Sequence, residues 1–321
     1  MKAFTFAVLT YNQERCVLYH LESIRYQVER WGDGIEIYFL LADDHSTDGT
    51  MELAQAWLRK YKTLFTGVQI FQNEQNQGIV QNYLHALHGI QTEFFKILAG
   101  DDLYYKNNVF AAAEKGSFVL SPVLYFCGDT VLRGQYLLRH WVFQEFLRYE
   151  DTDLKRRILL RQQYTNCIYT PGVFYQKSLA DDRVDQLLRR YRWMEDYPLW
   201  NHLLAREDVQ PRLARRPVVL YRASAGISTG PAHEKRSLYK EEYLSFLRET
   251  GSPFAKYPLW VNPYRYLYYL RYFLKGAVYS TFIRYLDARI GAFLREMALE
   301  EKQANEYLKD IRQKVERWQC S

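Results

Sequence analysis

Apolar and polar positions alternate in blocks along the first hundred residues. Four apolar runs have the length of strands, at residues 3–10, 35–41, 68–72 and 93–99. The segments between them carry apolar residues at helical spacing, over about residues 12–29, 50–61 and 79–88. Because strands and helices alternate, we expect βαβ units and a mainly parallel sheet covered by helices on both faces, an α/β fold. Asn12 has the side chain of a helix cap, so we expect it to begin the first helix.

The pattern is less regular after residue 102. It predicts a strand over 117–126, a helix over 141–163, a turn at Thr170-Pro171-Gly172 and a short strand at 218–221. Residues 226–252 are polar, and we expect a loop there. From residue 256 onward the chain is predicted to be helical. A seven-residue repeat predicts a long helix that packs against another surface, through Ile283, Ile290, Met297, Ala304, Ile311 and Trp318.

Polar clusters follow three of the predicted strands directly. They are Thr10-Tyr11-Asn12, Asp43-Asp44 and Asp101-Asp102. In a parallel α/β sheet, ligands bind outside the carboxyl ends of the strands, where these clusters would meet. The spacing therefore predicts one polar binding site at this edge of the sheet.

The two aspartate pairs differ in the chemistry that they suggest. Two adjacent carboxylates at Asp101-Asp102 suit a hard divalent cation, Mg²⁺ or Mn²⁺, which in turn suits phosphate oxygens. An Asp-rich turn that caps the next helix is the alternative. Asp43 and Asp44 could accept hydrogen bonds from a base or a ribose, whereas residues 46–50 need no role beyond a capped turn.

A third acidic pair, Glu195-Asp196, comes shortly before Pro198. Proline is tolerated in the first turn of a helix, so Asp196 is expected near a helix N-terminus. A carboxylate there serves either as a helix cap or as a general base in a cleft. The residues alone leave both interpretations open.

Several protein classes are disfavoured by the sequence. It contains neither GxGxxG nor GxxxxGK[ST], which argues against a Rossmann dinucleotide site and a P-loop. The string from Gly226 to Gly230 fits GxSxG, but Pro231 follows where a hydrolase needs a helix. The four cysteines share no CxxC spacing, which is typical of a reducing cytosol without a zinc or disulfide framework. No apolar run approaches the roughly 20 residues of a membrane span.

The net charge of +6 is concentrated near one end of the chain. Residues 256–295 hold seven Lys or Arg, one acid and 12 aromatic residues. This segment could lie on an anionic membrane, with its rings at headgroup depth. It could equally pack on the N-terminal α/β domain or on a second subunit, forming a homo-oligomer through the C-terminal helices. Nucleic acid is not expected as a partner, because no nucleic-acid module is recognisable.

Four sequence features occur in the order found in a known enzyme family. They are Thr10-Tyr11-Asn12-Gln13 after a strand, LLADDHSTDGT at 40–50, Asn76-Gln77-Gly78 before a helix, and FKILAGDD at 95–102. Together they resemble family 2 glycosyltransferases of the GT-A fold. WMEDYPLW at 193–200 resembles the family's late ED motif, and Tyr221-Arg222 through Ser228 resembles its closing loop.

The resemblance implies an inverting transfer from a nucleotide-sugar donor, most often a UDP-sugar, with Mn²⁺ or Mg²⁺ as cofactor. It implies Asp196 as the base, with Trp193 and Glu195 positioning the acceptor or a loop. Asp101 occupies the last position of the family's metal-binding DxD, with Asp102 beside it, while Ala99 replaces the first acid. The implied donor-binding residues are Thr10, Tyr11, Asn12, Asp43, Asp44, Gly78, Asp101 and Arg222.

We therefore expect a GT-A catalytic domain over residues 1–230 and a helical C-terminal extension over 231–321. The acceptor would be a glycan or a lipid-linked sugar in surface polysaccharide synthesis. The enzyme would be cytoplasmic, either free or bound to the cytoplasmic face of the membrane. Ala99 keeps open a second interpretation, a catalytically inactive sugar-nucleotide-binding subunit that acts through its C-terminal helices. A nucleotidyltransferase would need a glycine-rich basic loop near the N-terminus, which the sequence lacks.

Overall fold

The computed structural model describes residues 1–132, 137–223, 233–255, 270 and 287–320. Its largest sheet contains β1 (Ala3–Thr10), β2 (Glu36–Asp43), β3 (Gly67–Gln72) and β4 (Phe94–Ala99). All its pairs are parallel, in the order β3-β2-β1-β4. The predicted mainly parallel sheet is thus confirmed. The register places Thr10 opposite Asp43 and Leu9 opposite Ala99, so the polar clusters after β1, β2 and β4 meet at one edge.

Three helices cover this sheet: α1 (Val17–Trp31), α2 (Thr50–Tyr61) and α3 (Ile79–Gly89). Alternate residues of β1 face opposite sides. Phe6 and Val8 pack in one apolar cluster with Trp57 of α2, whereas Ala7 packs in another with Leu84 of α3. A strand buried on both faces reads as a continuous apolar run, which is why the sequence pattern identified it.

The prediction that Asn12 caps the first helix was wrong. The helix α1 begins at Val17, after Cys16. Asn12 adopts a φ of 51°, and its side-chain Oδ1 accepts a hydrogen bond of 2.8 Å from the backbone N–H of Thr47. Asn tolerates this left-handed conformation better than most residues. Asn12 therefore ties the loop after β1 to the loop after β2.

Short strands form two smaller sheets in the second half of the chain. One has the order β10-β6-β9, from β6 (Phe118–Leu120), β9 (Val173–Tyr175) and β10 (Pro211–Leu213). The other has the order β5-β11-β7-β8, from β5 (Leu103–Tyr104), β7 (Val123–Cys127), β8 (Thr130–Val131) and β11 (Val219–Arg222). The single strand predicted over 117–126 is thus two strands in different sheets, separated at Ser121-Pro122. Pro122 cannot donate a ladder hydrogen bond, which favours the break.

The helices after α4 (Val109–Ala113) also differ from the prediction. One predicted helix over 141–163 is two, α5 (Leu137–Tyr149) and α6 (Leu154–Gln162). They are followed by α7 (Asp182–Leu188), α8 (Asp196–Ala205) and α9 (His233–Glu249). The loop predicted over 226–252 was wrong for the residues of α9. That segment is polar overall, but an apolar stripe at helical spacing packs on the core, from Tyr239, Tyr243, Phe246 and Leu247.

The long helix α10 (Ala288–Gln319) confirms the predicted seven-residue repeat in its described part. Ile290, Met297, Ala304 and Ile311 are each at most 2% exposed. They pack inside this chain, where α10 contacts α1, α5 and β8. Apart from Leu270, residues 256–286 lie outside the described residues, so both interpretations of the basic segment stay predictions.

Polar contacts fix α10 to the segment that follows Asp101-Asp102. The hydroxyl of Tyr105 donates to the carboxylate of Glu300 at 3.0 Å, and Asn107 Nδ2 donates to the same carboxylate at 3.1 Å. The hydroxyl of Tyr307 donates to the carbonyl of Tyr104 at 2.9 Å. Within the described parts of the chain, no helix is both long and apolar enough to cross a membrane.

Candidate active site

Asp43 lies at the end of β2 and is fully buried. Its carboxylate accepts hydrogen bonds from the hydroxyl of Thr10 at 2.8 Å and from the backbone N–H of Ser46 at 2.8 Å. The hydroxyl of Ser46 donates to it as well, at 2.5 Å. Thr10 therefore orients Asp43 from the neighbouring strand. Tyr11, which follows Thr10, is exposed, with 39% of its surface accessible.

Asp44 organises the loop before α3. Its carboxylate accepts from the side chain of Asn73 at 2.9 Å and from the backbone N–H groups of Gln77 and Gly78, each at 2.8 Å. Gly78 has a φ of 91°, a conformation that other residues avoid. Asp44 thus acts on the protein itself, as a local anchor for the loop containing Gly78, and both of its carboxylate oxygens are engaged.

Asp101 and Asp102 follow β4 and share one cationic neighbour, Arg222 at the end of β11. The backbone N–H of Arg222 donates to Asp102 Oδ1 at 2.9 Å, and its Nε donates to the carbonyl of Asp101 at 2.9 Å. The guanidinium lies 4.5 Å from the ring centroid of Phe126. Burial raises the pKa of both aspartates above its ordinary value, although the positive charge of Arg222 opposes this rise.

Asp196 is the first residue of α8. Its carboxylate accepts hydrogen bonds from Asn166 Nδ2 at 2.8 Å, the hydroxyl of Thr170 at 3.0 Å and the backbone N–H of Tyr197 at 2.7 Å. Burial raises the pKa of Asp196, and these hydrogen bonds oppose the rise. Two side chains from another segment hold this carboxylate, which goes beyond what a helix cap requires.

The family model described as Glycosyl transferase family 2 matches residues 5–181, more than half of the chain. The chain belongs to glycosyl transferase family 2. It is a glycosyltransferase, as its motifs predicted.

Solved structures resemble this glycosyltransferase in fold. A structure of S. aureus TarS 1–349 in complex with UDP is 18% identical, covers 98% of this chain and 92% of that chain, and has a TM-score of 0.50. A second structure of the same TarS segment is 18% identical with the same coverage and a TM-score of 0.49. No curated protein matches the sequence. The predicted GT-A architecture with a helical C-terminal segment is confirmed.

Glu195 and Asp196 differ in their protonation within the glycosyltransferase. Burial, the neighbouring Asp196 and Glu242 together raise the pKa of Glu195 to about 8. Asp196 has three hydrogen-bond donors, which favour its ionised form. When the pair carries a single proton, we therefore place that proton on Glu195 and the charge on Asp196.

The side chains near Asp101 fit a divalent cation only in part. Among the described residues, no group of three His, Cys, Asp or Glu side chains could hold a metal ion. One oxygen of Asp102 already accepts from Arg222, and Ala99 supplies no carboxylate. Magnesium-like ions are often held by one or two carboxylates together with substrate phosphates, and Asp101 can supply one.

Cys16 and Tyr239 each lie near several of the predicted site residues. The charges of Arg222, Asp101 and Asp102 all act on the thiol of Cys16, whose pKa is raised chiefly by burial. Tyr239 of α9 lies near the Glu195-Asp196 pair and near Tyr221. Burial raises its pKa, and the charges of Asp196 and Glu195 and the nearby Tyr221 raise it further. Trp193 lies half-buried between α7 and α8, beside Arg192.

Sequence reasoning missed Thr170 and Lys96. Lys96 lies in β4 with 3% of its surface exposed, and its ammonium donates to the carbonyls of Thr170 at 3.0 Å and Val173 at 2.7 Å. Burial lowers the pKa of Lys96 to about 7. A lysine within the apolar run FFKILA was the available signal, because buried lysines occur almost only with partners.

His20 was missed as well. It is fully buried in α1, and its Nδ1 lies 2.7 Å from the carbonyl oxygen of Asp102. Burial lowers the pKa of His20 to about 4, so the ring is neutral at pH 7 and Nδ1–H is the donor. Gln27, two turns along α1, donates to the carbonyl of Asn107 at 3.1 Å. A polar stripe on α1 therefore holds the backbone that follows the Asp101-Asp102 pair.

Proposed function

We propose that this glycosyltransferase transfers a sugar from a UDP-sugar to a hydroxyl of a glycan or lipid-linked acceptor, with inversion at the anomeric carbon. The observation that carries the proposal is the arrangement of Asp196. Its carboxylate is held by Asn166 and Thr170, and Arg222 binds Asp101 at the strand ends. Tyr239 lies near both Asp196 and Tyr221, the neighbour of Arg222. A base near a cationic diphosphate site is what a single displacement requires.

In the proposed reaction, the carboxylate of Asp196 takes the proton of the acceptor hydroxyl. The acceptor oxygen forms its bond to the anomeric carbon while the bond from that carbon to the diphosphate oxygen breaks. Inversion follows because attack and departure occur on opposite sides. Asp196 ends the step protonated, and UDP leaves with the electron pair of the broken bond.

The donor would bind at the carboxyl ends of β1, β2 and β4. Thr10, Tyr11 and Asn12 would lie beside the uracil ring of the donor, and Asp43 would accept a hydrogen bond from the uracil or the ribose. Arg222 would bind the diphosphate through its terminal N–H groups, since its Nε is engaged with Asp101. A Mn²⁺ or Mg²⁺ ion, when bound at Asp101 and Asp102, would neutralise developing charge on the diphosphate.

UDP is the nucleotide we propose because the family most often uses it and because a TarS structure with this fold contains it. For the acceptor side, we propose a role in surface polysaccharide synthesis, which rests on the resemblance to the family alone. The division of the chain into residues 1–230 and 231–321 stays a prediction, as do cytoplasmic location, membrane contact and oligomerisation through the C-terminal helices. The hydrogen-bonded Asp196 favours an active enzyme over the inactive-subunit interpretation that Ala99 kept open.

A donor screen tests this function. The enzyme would be incubated with a panel of UDP-sugars and Mn²⁺, with oligosaccharide and lipid-linked acceptors, and released UDP would be measured. The proposal expects UDP release with one donor class and a glycoside of inverted anomeric configuration by NMR. A glycoside of retained configuration would overturn the mechanism, and release of UMP in place of UDP, with the sugar phosphate transferred to the acceptor, would overturn the reaction class.

A further inference from the structure

A carboxylate on α9 binds the backbone that leads to Asp196. Glu242 Oε2 accepts from the N–H of Arg192 at 2.8 Å, and Glu242 Oε1 accepts from the N–H of Trp193 at 2.9 Å. Both oxygens of one carboxylate are therefore used on two consecutive peptide groups. Hydrogen bonds to an ionised acceptor are stronger than neutral ones, so this contact restrains the connection between α7 and α8.

The rest of that face of α9 holds the same region. Tyr243 stacks on Tyr197, with ring centroids 5.5 Å apart, and Phe246 packs on Tyr197 at 4.7 Å. Glu249, seven residues after Glu242, accepts from the guanidinium of Arg190 at 2.6 Å. Positions 242, 243, 246 and 249 recur at helical spacing, so one face of α9 contacts residues 190–197 throughout.

The restrained segment also touches the donor side of the site. A Cβ added at Gly78 would lie 3.3 Å from the carbonyl oxygen of Arg192 and 3.4 Å from its Cγ. Gly78 is itself held by Asp44. The backbone that Glu242 binds therefore contacts the loop containing Gly78 and leads along the chain to Asp196.

We propose that Glu242 is a positioning residue for transfer, which orients the 192–196 segment so that Asp196 faces the acceptor hydroxyl. This inference rests on the proposed function of Asp196. Glu242 touches neither donor nor acceptor in this arrangement. It acts through the two peptide N–H groups, and its loss lowers the rate of the chemical step more than donor affinity.

The test compares Glu242→Ala, Glu242→Gln and the control Glu241→Ala, whose side chain is exposed on the same helix. Transfer rates at saturating donor and acceptor, KM for each, thermal unfolding and UDP affinity would be measured. A displacement of about 1 Å costs on the order of 100-fold in rate, so we expect kcat of Glu242→Ala to fall about 10- to 100-fold. UDP affinity should stay within about threefold of wild type, and Glu242→Gln, which keeps two acceptor lone pairs on one oxygen, should recover part of the rate.

Three results would overturn the proposal. They are a kcat of Glu242→Ala equal to that of Glu241→Ala, a loss of UDP affinity that parallels the loss of kcat, and a Glu242→Gln variant no better than Glu242→Ala. Wild type and Asp196→Asn are run beside them. Transfer by wild type that is lost in Asp196→Asn upholds the proposed function whatever Glu242 does, whereas full activity of Asp196→Asn would overturn both ideas.

Discussion

The side chain of Arg222 binds the backbone of Asp101, its Nε donating to the carbonyl oxygen at 2.9 Å. Since the peptide N–H of the same arginine binds Asp102, one residue fixes both members of the acidic pair. The guanidinium also lies over the ring of Phe126, a cation–π contact that restrains it further. A fixed cation beside a carboxylate, at the end of a parallel strand, is an arrangement suited to a diphosphate and its metal ion.

The first prediction concerns Asp101 and nucleotide binding. A ligand at a hundred times its dissociation constant stabilises the folded state by about 2.7 kcal/mol. We expect thermal unfolding to show this stabilisation for wild type with UDP and Mn²⁺, and most of it to be lost in Asp101→Asn. Asp129→Asn, an exposed substitution elsewhere, serves as the control. Equal stabilisation of wild type and Asp101→Asn would contradict the assignment.

The second prediction concerns the base. Asp196→Asn removes the proton acceptor but keeps a side chain of similar shape, so we expect kcat to fall by about 10² to 10⁴. UDP affinity should be unchanged, because the donor site lies at the strand ends. Steady-state kinetics and nucleotide titration check both parts, with Asp182→Asn on the exposed surface as the control. Near-normal turnover of Asp196→Asn would reduce Asp196 to a helix cap.

The third prediction uses Thr170 to move the pKa of Asp196. The Thr170 hydroxyl lowers that pKa by donating to the carboxylate. Thr170→Val removes this hydrogen-bond donor, so the pKa of Asp196 rises. Because the base must be ionised, activity is then lost at a less acidic pH as the pH is lowered. The acidic limb of the kcat profile should therefore shift to higher pH. Thr170→Ser keeps the hydroxyl and should leave the limb in place. An unshifted limb in Thr170→Val would show that Asp196 is not the titrating group.

The fourth prediction concerns Glu195 and stability. The folded protein holds Glu195 protonated up to a pH of about 8, whereas the unfolded chain releases the proton near 4.5. The neutral carboxyl of Glu195 therefore stabilises the folded protein fully below pH 4.5, and this stabilisation is lost as the pH rises to about 8. Glu195→Gln removes this dependence, so its unfolding free energy relative to wild type should increase across that window. Denaturant unfolding at pH 5, 6.5 and 8 measures it, and a constant difference would refute the raised pKa.

The fifth prediction concerns the contact of α10 with the segment after Asp101-Asp102. Glu300→Ala leaves the hydroxyl of Tyr105 and the amide of Asn107 without their acceptor. We expect a loss of about 1–3 kcal/mol in unfolding free energy. Glu306→Ala, on the exposed side of the same helix, should cost little. Equal stability of the two variants would mean that water replaces Glu300 as the acceptor.

The sequence predicted the first four strands because each is a short segment rich in apolar residues between turns or helices. Strands β5 and β8 have two residues each, too short to show any periodicity. The helix α9 was missed for a different reason. Its charged residues dominate its composition, although Tyr239, Tyr243 and Phe246 already had helical spacing. Weighting spacing over polarity would have found it.

Site residues at strand ends were predictable, but their supporting partners were not. Asp43 and Asp101 occupy positions that any parallel sheet turns toward a ligand. Thr170 contacts Asp196 across 26 positions in sequence, and His20 contacts Asp102 across 82. Nothing local in the chain specifies such pairs, because they depend on how elements far apart in sequence pack together in the fold. The role of Asn12 was misjudged on the same ground, since its partner Thr47 is 35 positions away.

The contacts of Glu300 and Tyr307 have a consequence for how the protein is made. They join residues 193 to 203 positions apart, so the segment after Asp101-Asp102 gains these bonds only when α10 has been synthesised. At about 5–20 residues per second, the ribosome needs roughly 10–40 seconds to reach them after passing residue 107. A nascent chain can assemble its parallel sheet during that time, before α10 is present to pack against α1. Until α10 has been synthesised, this segment therefore lacks the bonds that fix it, and a premature stop codon within α10 would leave it without them.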